Sequence, residues 1–160
     1  MDGLVTALTI AAAVGCGLNG GVFFAFSSFV MPALARLRPL EGVAAMQSIN
    51  VTAVTPAFMT ALFGTGALCV AVIVAGLAGL DESYGGWLVA GGALGLTGSI
   101  VMTMLYHVPR NNALAVVDPA TPEAARLWER YLREWTRANH ARAVAGIAAA
   151  ALLMIGVDAG

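Results

Sequence analysis

Four long stretches of the 160-residue chain carry almost no charged or strongly polar side chains: residues 4–34, 56–80, 84–106 and 141–157. Each is close to or above the roughly 20 residues that a helix needs to cross a bilayer. The first has no charge between Asp2 and Arg36, so it can span even when tilted. No basic segment precedes it, and its apolar run is about twice that of a signal peptide, so a retained helix is expected rather than a cleaved leader. Residues 41–55, EGVAAMQSINVTAVT, cannot extend the second stretch as one membrane helix, since about 40 residues of helix would run to roughly 60 Å. Pro56 marks the break. A separate cytoplasmic helical segment carrying Gln47 and Asn50 is expected there.

The period changes character between the third and fourth stretches. Thr121 can cap a helix, with Pro122 at its first position and Glu123 in its first turn. At 100° per residue, Ala124, Trp128, Tyr131, Leu132 and Trp135 share one side, and Arg126, Arg130, Arg133 and Arg137 the other. The pattern predicts an amphipathic helix over 121–138, lying on the inner leaflet as an anchor or closing over a site at the bundle mouth. The fold class predicted is all-α: a single membrane domain over 1–160, a four-helix transmembrane bundle with a cytoplasmic interfacial amphipathic helix between spans three and four.

Composition agrees with a membrane protein. The chain is 59% hydrophobic and only 11% charged, against about 25% charged in a soluble domain, and its mean hydropathy is +0.83. All cationic residues are arginine: Arg36 and Arg38 follow span one, and the other six lie between span three and the first turn of span four. The positive-inside rule then puts both arginine-bearing loops in the cytoplasm and both termini outside, in the cell membrane. The net charge of −1 gives no nucleic-acid signal. Cys16 and Cys69 lie within apolar runs and read as small hydrophobes.

Gly15-x-Gly17-x-x-Gly20, with Glu41 about twenty residues on, fits a dinucleotide-binding fingerprint. Its context does not: that motif needs a strand–turn–helix unit, and an open sheet edge cannot exist within hydrocarbon. Glycines so spaced, like Gly91-xxx-Gly95-xxx-Ser99 in span three, let helices approach closely.

Polar side chains at membrane depth carry the chemistry. Asn19 lies inside span one, as an interhelical hydrogen bond or a ligand contact. YHVPRNN, 106–112, ends span three, and NHAR, 139–142, begins span four. The connection brings His107, Arg110, Asn111 and Asn112 toward Asn139, His140 and Arg142 at one depth. Three readings stand for this cluster. The side chains cap helix ends and meet headgroups, or the imidazoles do acid–base work beside amide and guanidinium oxyanion donors, or the two histidines ligate a metal. No metal-ligand set is assigned, because two histidines fall short of the usual three or four ligands.

GVFFAFSSFVMPAL, AMQSIN, FMTALFGTG, YHVPRNNALA and WTRANHAR together resemble the anthrone oxygenase family over about residues 15–153. The specific parts are YHVPRNN and Asn-His-x-Arg at 139–142, and the chain departs from the pattern at Ala138, where relatives carry an aromatic residue. The resemblance implies a small integral membrane protein that oxidises anthrones to anthraquinones with O2 and no organic cofactor. Carried over by position, it places His107, Arg110, Asn111, Asn112, Asn139, His140, Arg142 and Asn50 in the polar motifs. His140 is then expected as the base because it would begin span four, where the helix dipole favours neutral imidazole. His107 is its protonated partner, and Asn139 or Arg142 holds the oxyanion. Asn50, Arg110, Asn111, Asn112, Asn19 and Phe58 are the expected substrate contacts. Phe23, Phe24, Phe26, Phe29 and Phe58 are candidates to line a path for an apolar tricycle.

The expected partners are a hydrophobic aromatic small molecule and the lipid bilayer, with no nucleic acid; a homo-oligomer is allowed. The competing class is a non-enzymatic four-span protein, either a structural subunit or a small-molecule carrier. Ion-coupled carriage is disfavoured because no charged residue lies at the centre of any span.

Overall fold

The computed structural model describes residues 1–160 and contains five helices and no sheet. They are α1 (Gly3–Leu34), α2 (Pro39–Thr52), α3 (Pro56–Ala78), α4 (Gly85–Ala115) and α5 (Pro122–Ala159). All but α2 are long and apolar enough to cross a membrane. The start signals act as local chemistry requires. Asp2 accepts a hydrogen bond from the Val5 amide at 2.9 Å, Thr55 from Phe58 at 3.2 Å and Thr121 from Ala124 at 3.2 Å. Pro39, Pro56 and Pro122 each occupy the first helical position, where a missing N–H costs nothing.

The four long helices alternate in direction. Met1 donates from its amino group to the Gly160 carbonyl at 3.0 Å, and Ser83 in the α3–α4 turn donates to Ala159 at 2.5 Å. Both termini therefore share one end of the bundle with that turn. α2, the α4–α5 connection and the arginines of residues 36–137 lie toward the other end.

Two expected boundaries are corrected. The amphipathic stretch 121–138 is not a separate interfacial helix: α5 runs unbroken for 38 residues, about 57 Å, against a hydrocarbon core of about 30 Å. Its N-terminal half is thus coaxial with the apolar C-terminal half. Its aromatic face, expected as a belt at the headgroups, is buried instead. Trp128, Tyr131 and Trp135 pack with Met31, Leu34, Val43, Met46 and Leu114 into a core capping the bundle. Span three also continues through Pro109 to Ala115.

A second core, of Ala12, Ala13, Cys16, Cys69, Val72, Ala149 and Leu153, fills the bundle itself. Cys16 and Cys69 are free thiols in contact, their sulfurs 3.6 Å apart. The glycine motif serves packing: a Cβ on Gly146 of α5 would lie 2.9 Å from the Cα of Gly20 in α1, so the two backbones touch. Leu18, Phe24, Val70, Val74, Leu77, Val144 and Ile147 are exposed around the bundle, as an apolar solvent permits.

Candidate functional site

The site lies where the two cores meet, and irregular backbone builds it. α1 and α4 contain π-helical turns over Phe26–Val30 and Thr103–His107, each ending two residues before a proline, Pro32 and Pro109. A proline inside a helix cannot donate to the carbonyl four residues back, and its ring crowds that carbonyl. Widening the preceding turn relieves both effects. Hydroxyls near these turns bond back to helix carbonyls: Ser28 donates to Phe24 at 2.7 Å, and Thr103 donates to Ser99. The first widened turn directs Ser27 toward α5, and the second turns His107 into the interior.

α5 supplies the facing wall. Trp128, Tyr131, Trp135, Asn139, Arg142 and Gly146 recur at three- and four-residue intervals and form one buried stripe. Asn139 is held by its amide, which donates to the Phe23 carbonyl at 2.7 Å and to the Ser27 hydroxyl at 2.8 Å. Arg142 donates to the Thr103 hydroxyl at 2.9 Å and to the Asn139 carbonyl oxygen at 3.4 Å. Its guanidinium carbon lies 3.6 Å from the centroid of the Phe23 ring. No carboxylate approaches it: the two ion pairs of the chain are Arg38–Glu41 and Arg110–Glu134. Arg142 is thus a buried cation with no anion, and its Nε has no hydrogen-bond partner.

His107 is equally unusual. Its ring stands edge-on to Trp135, with centroids 4.9 Å apart, and neither ring nitrogen has a hydrogen-bond partner. Buried polar atoms are seldom left unpaired, so two on one imidazole mark a group kept for something else. The Asn50 amide nitrogen is also buried and unpartnered. Asn111 accepts from the Tyr131 hydroxyl at 2.7 Å and from the Trp135 indole at 2.9 Å. Both bonds use its carbonyl oxygen and leave its NH2 group free.

These groups wall a cavity of about 220 Å³ lined by 20 residues, 14 of them hydrophobic, from all five helices. That exceeds the ~150 Å³ that accepts one benzene ring. Its apolar lining includes Phe23, Phe26, Phe58, Met59 and Leu62, and its polar lining includes Thr103, His107, Asn50, Asn139 and Arg142. The polar side presents chiefly donors and one free imidazole. It therefore fits a ligand with an apolar body and an acceptor or anionic oxygen.

The structure brings together His107, Asn139, Arg142, Asn50, Asn111 and Phe58 and leaves four expected residues outside. His140 is exposed in the middle of α5. With no helix start at Asn139, it has no dipole terminus, and one residue of rotation, 100°, turns it away from the stripe holding Asn139. The pairing of the two histidines is therefore not formed. Arg110 is tied to Glu134 at 3.1 Å and stacks on Tyr106. Asn112 is exposed, and Asn19 is buried deeper in the bundle, donating to Ala61 at 3.4 Å. Phe24 and Phe29 point outward, while Phe23, Phe26 and Phe58 line the cavity. Thr103 and Ser27 also hold the site's side chains in place, although a hydroxyl in an apolar span ordinarily bonds back to its own helix. The spacing Thr103, His107, Asn111, four residues at a time, was the signal that all three share a face. No three His, Cys, Asp or Glu side chains converge anywhere in the chain.

Four helices long and apolar enough to cross a membrane thus wall an apolar cavity that carries one buried cation and one free imidazole. The family model described as anthrone oxygenase matches residues 56–152, and the chain belongs to that family. The match covers α3, α4 and most of α5, including His107, Asn139 and Arg142, whereas α1 and the AMQSIN segment of α2 lie outside it. No curated protein and no solved structure matches the chain.

Proposed function

We propose that this protein is a membrane-embedded oxygenase that converts an anthrone-like aromatic into a quinone with O2. The observation that carries the reading is that one cavity is lined both by an unpartnered His107 and by an Arg142 that lacks an anion. Family membership supports the reaction class. The helix start expected at 139 favoured His140 as base; the cavity favours His107, with Arg142 and Asn50 facing the developing oxyanion and Asn139 holding Arg142 in place.

The ring CH2 of an anthrone is acidified by the carbonyl opposite. His107 takes one of its protons, and the charge spreads onto the carbonyl oxygen, where preorganised donors stabilise it. The electron-rich carbanion passes an electron to O2, and a C–O bond forms to give a peroxide anion. The imidazolium returns its proton to that anion. Loss of the second C–H proton to His107 breaks the O–O bond and forms the new carbonyl. The departing hydroxide takes the proton and leaves as water. One CH2 and one O2 become one C=O and one H2O. The ring body lies against Phe23, Phe26 and Phe58.

The same reading places the arginine-rich end in the cytoplasm and the site at the cytoplasmic edge of the hydrocarbon. The test is O2 consumption by protein in lipid nanodiscs with a panel of anthrones. His107→Gln is expected to lose about 10²–10⁴ in rate, the usual worth of a general base, while His140→Ala stays close to wild type. Full activity in His107→Gln would overturn the assignment, as would activity that vanishes with chelator and returns with one added metal.

A further inference from the structure

The cavity has a rim, and the rim is apolar. Of its lining residues only Val54, Phe63 and Met104 are exposed, at 68%, 49% and 48%. The polar lining groups are buried (His107, Asn139, Arg142) or half-buried (Asn50, Thr103, Asn111), and none is exposed. A mouth opening to water would carry polar residues around its edge, as solvent-facing rims do. Here the edge continues the exposed apolar faces of α3 (Val70, Val74, Leu77) and α4 (Val101, Leu105).

Helix geometry explains the gap. α3 lies against α4 along Gly85–Leu96 and the Thr97–Val101 turn, then diverges from it over Thr103–His107. The divergence coincides with the turn that Pro109 forces open. The slot left between the helices is flanked by Phe63 on α3 and Met104 on α4. Val54, in the short α2–α3 connection, is the third exposed lining residue. Phe63 is seven residues into α3, about 10 Å along the axis, so the slot opens inside the apolar slab rather than above it.

From these observations we infer that the cavity takes its ligand sideways from the bilayer, through the α3–α4 slot, with Phe63 and Met104 as the gate that sets which ring systems pass. The inference rests on the reading of the ligand as an apolar ring system with an acidic oxygen, but not on any oxidation of it. Such a molecule partitions into the leaflet with its oxygen near the headgroups, so it meets the slot rings first. The flexible Met104 side chain can move aside without disturbing packing. The polar wall then receives the oxygen after the rings have passed.

A gate and a wall differ in kinetics. Obstructing a passage slows arrival and departure alike, leaving the dissociation constant unchanged; altering a wall changes the constant, chiefly through departure. The probe is 9-anthracenecarboxylate, a fluorescent tricyclic acid that the proposed reaction does not consume, added to protein in phosphatidylcholine nanodiscs. Phe63→Trp with Met104→Trp is expected to slow association and dissociation by the same factor. Phe63→Ala with Met104→Ala is expected to speed both. Neither Phe63 nor Met104 belongs to a packed core, so neither pair of changes is expected to unfold the bundle.

Unchanged rates in both double variants would overturn the inference, as would a changed affinity at unchanged association rate, or no saturable binding of the probe to the wild type. Gated binding in a protein that consumes no O2 with any anthrone would leave this inference standing and refute the oxygenase reading instead.

Discussion

Arg142 holds a full charge in an interior without an anion, and that charge is the residue-scale centre of the account. Burying an ion costs several kcal/mol even after relaxation, and hydrogen bonds to neutral partners recover only part of it. Thr103, Asn139 and the face of Phe23 supply that partial recovery. The remainder is available to a ligand that brings its own negative oxygen. Arg142→Met keeps the volume and removes the charge. Its melting temperature in detergent is therefore expected to equal or exceed that of the wild type, while affinity for an acidic tricycle falls by about tenfold or more, the scale of losing a charged hydrogen bond. A variant that unfolds and still binds would contradict both expectations. The cluster Asn-His-x-Arg was legible in the sequence as polar chemistry at membrane depth. The role of each member was not, because that depends on whether a helix begins at 139 or passes through it. Hydropathy drops over 121–138 whether the chain lies flat on the membrane or continues upward along the same axis.

At the scale of elements, the widened turns before Pro32 and Pro109 place the working side chains. Thr103, His107 and Asn111 would still share a face in a regular helix, but without the extra residue of the widened turn that face would be rotated relative to the rest of α4. Pro109→Ala restores the missing donor, so it is expected to stabilise α4 while lowering oxidation rate, read by thermal melting and O2 uptake on the same preparation. α2 shows the opposite dependence, on closeness. A Cβ on Gly42 would sit 2.8 Å from the Trp128 indole. Gly42→Ala is accordingly expected to cost about 1–3 kcal/mol of stability, the range for overpacking, and to loosen the cap that carries Asn50. Proline positions are visible in any sequence. Their consequence here, a π-helical turn rather than a helix end, follows from tertiary packing that continues past them, and the sequence-based boundary at Tyr106 missed it for that reason.

As a whole molecule, the chain combines a lipid-facing bundle with an aromatic cap, and the cavity is the seam between them. The four membrane-length helices were readable from hydropathy because twenty-residue apolar runs have few alternative uses. The cap was not, since its aromatic stripe fits a headgroup belt as well as a buried core. Orientation is checked by reporter fusions: Asp118 is expected in the cytoplasm and Gly160 outside, and the reverse would move the site to the other leaflet. The central claim is that the seam turns a bound anthrone into its anion. Its most direct measurement is the absorbance spectrum of anthrone mixed with the nanodisc protein under nitrogen, where no oxidation can follow. The anthrolate band is expected with the wild type and with His140→Ala, and is expected to be absent with His107→Gln and with Arg142→Met. Anthrone that binds the wild type and keeps its ketone spectrum would contradict the account.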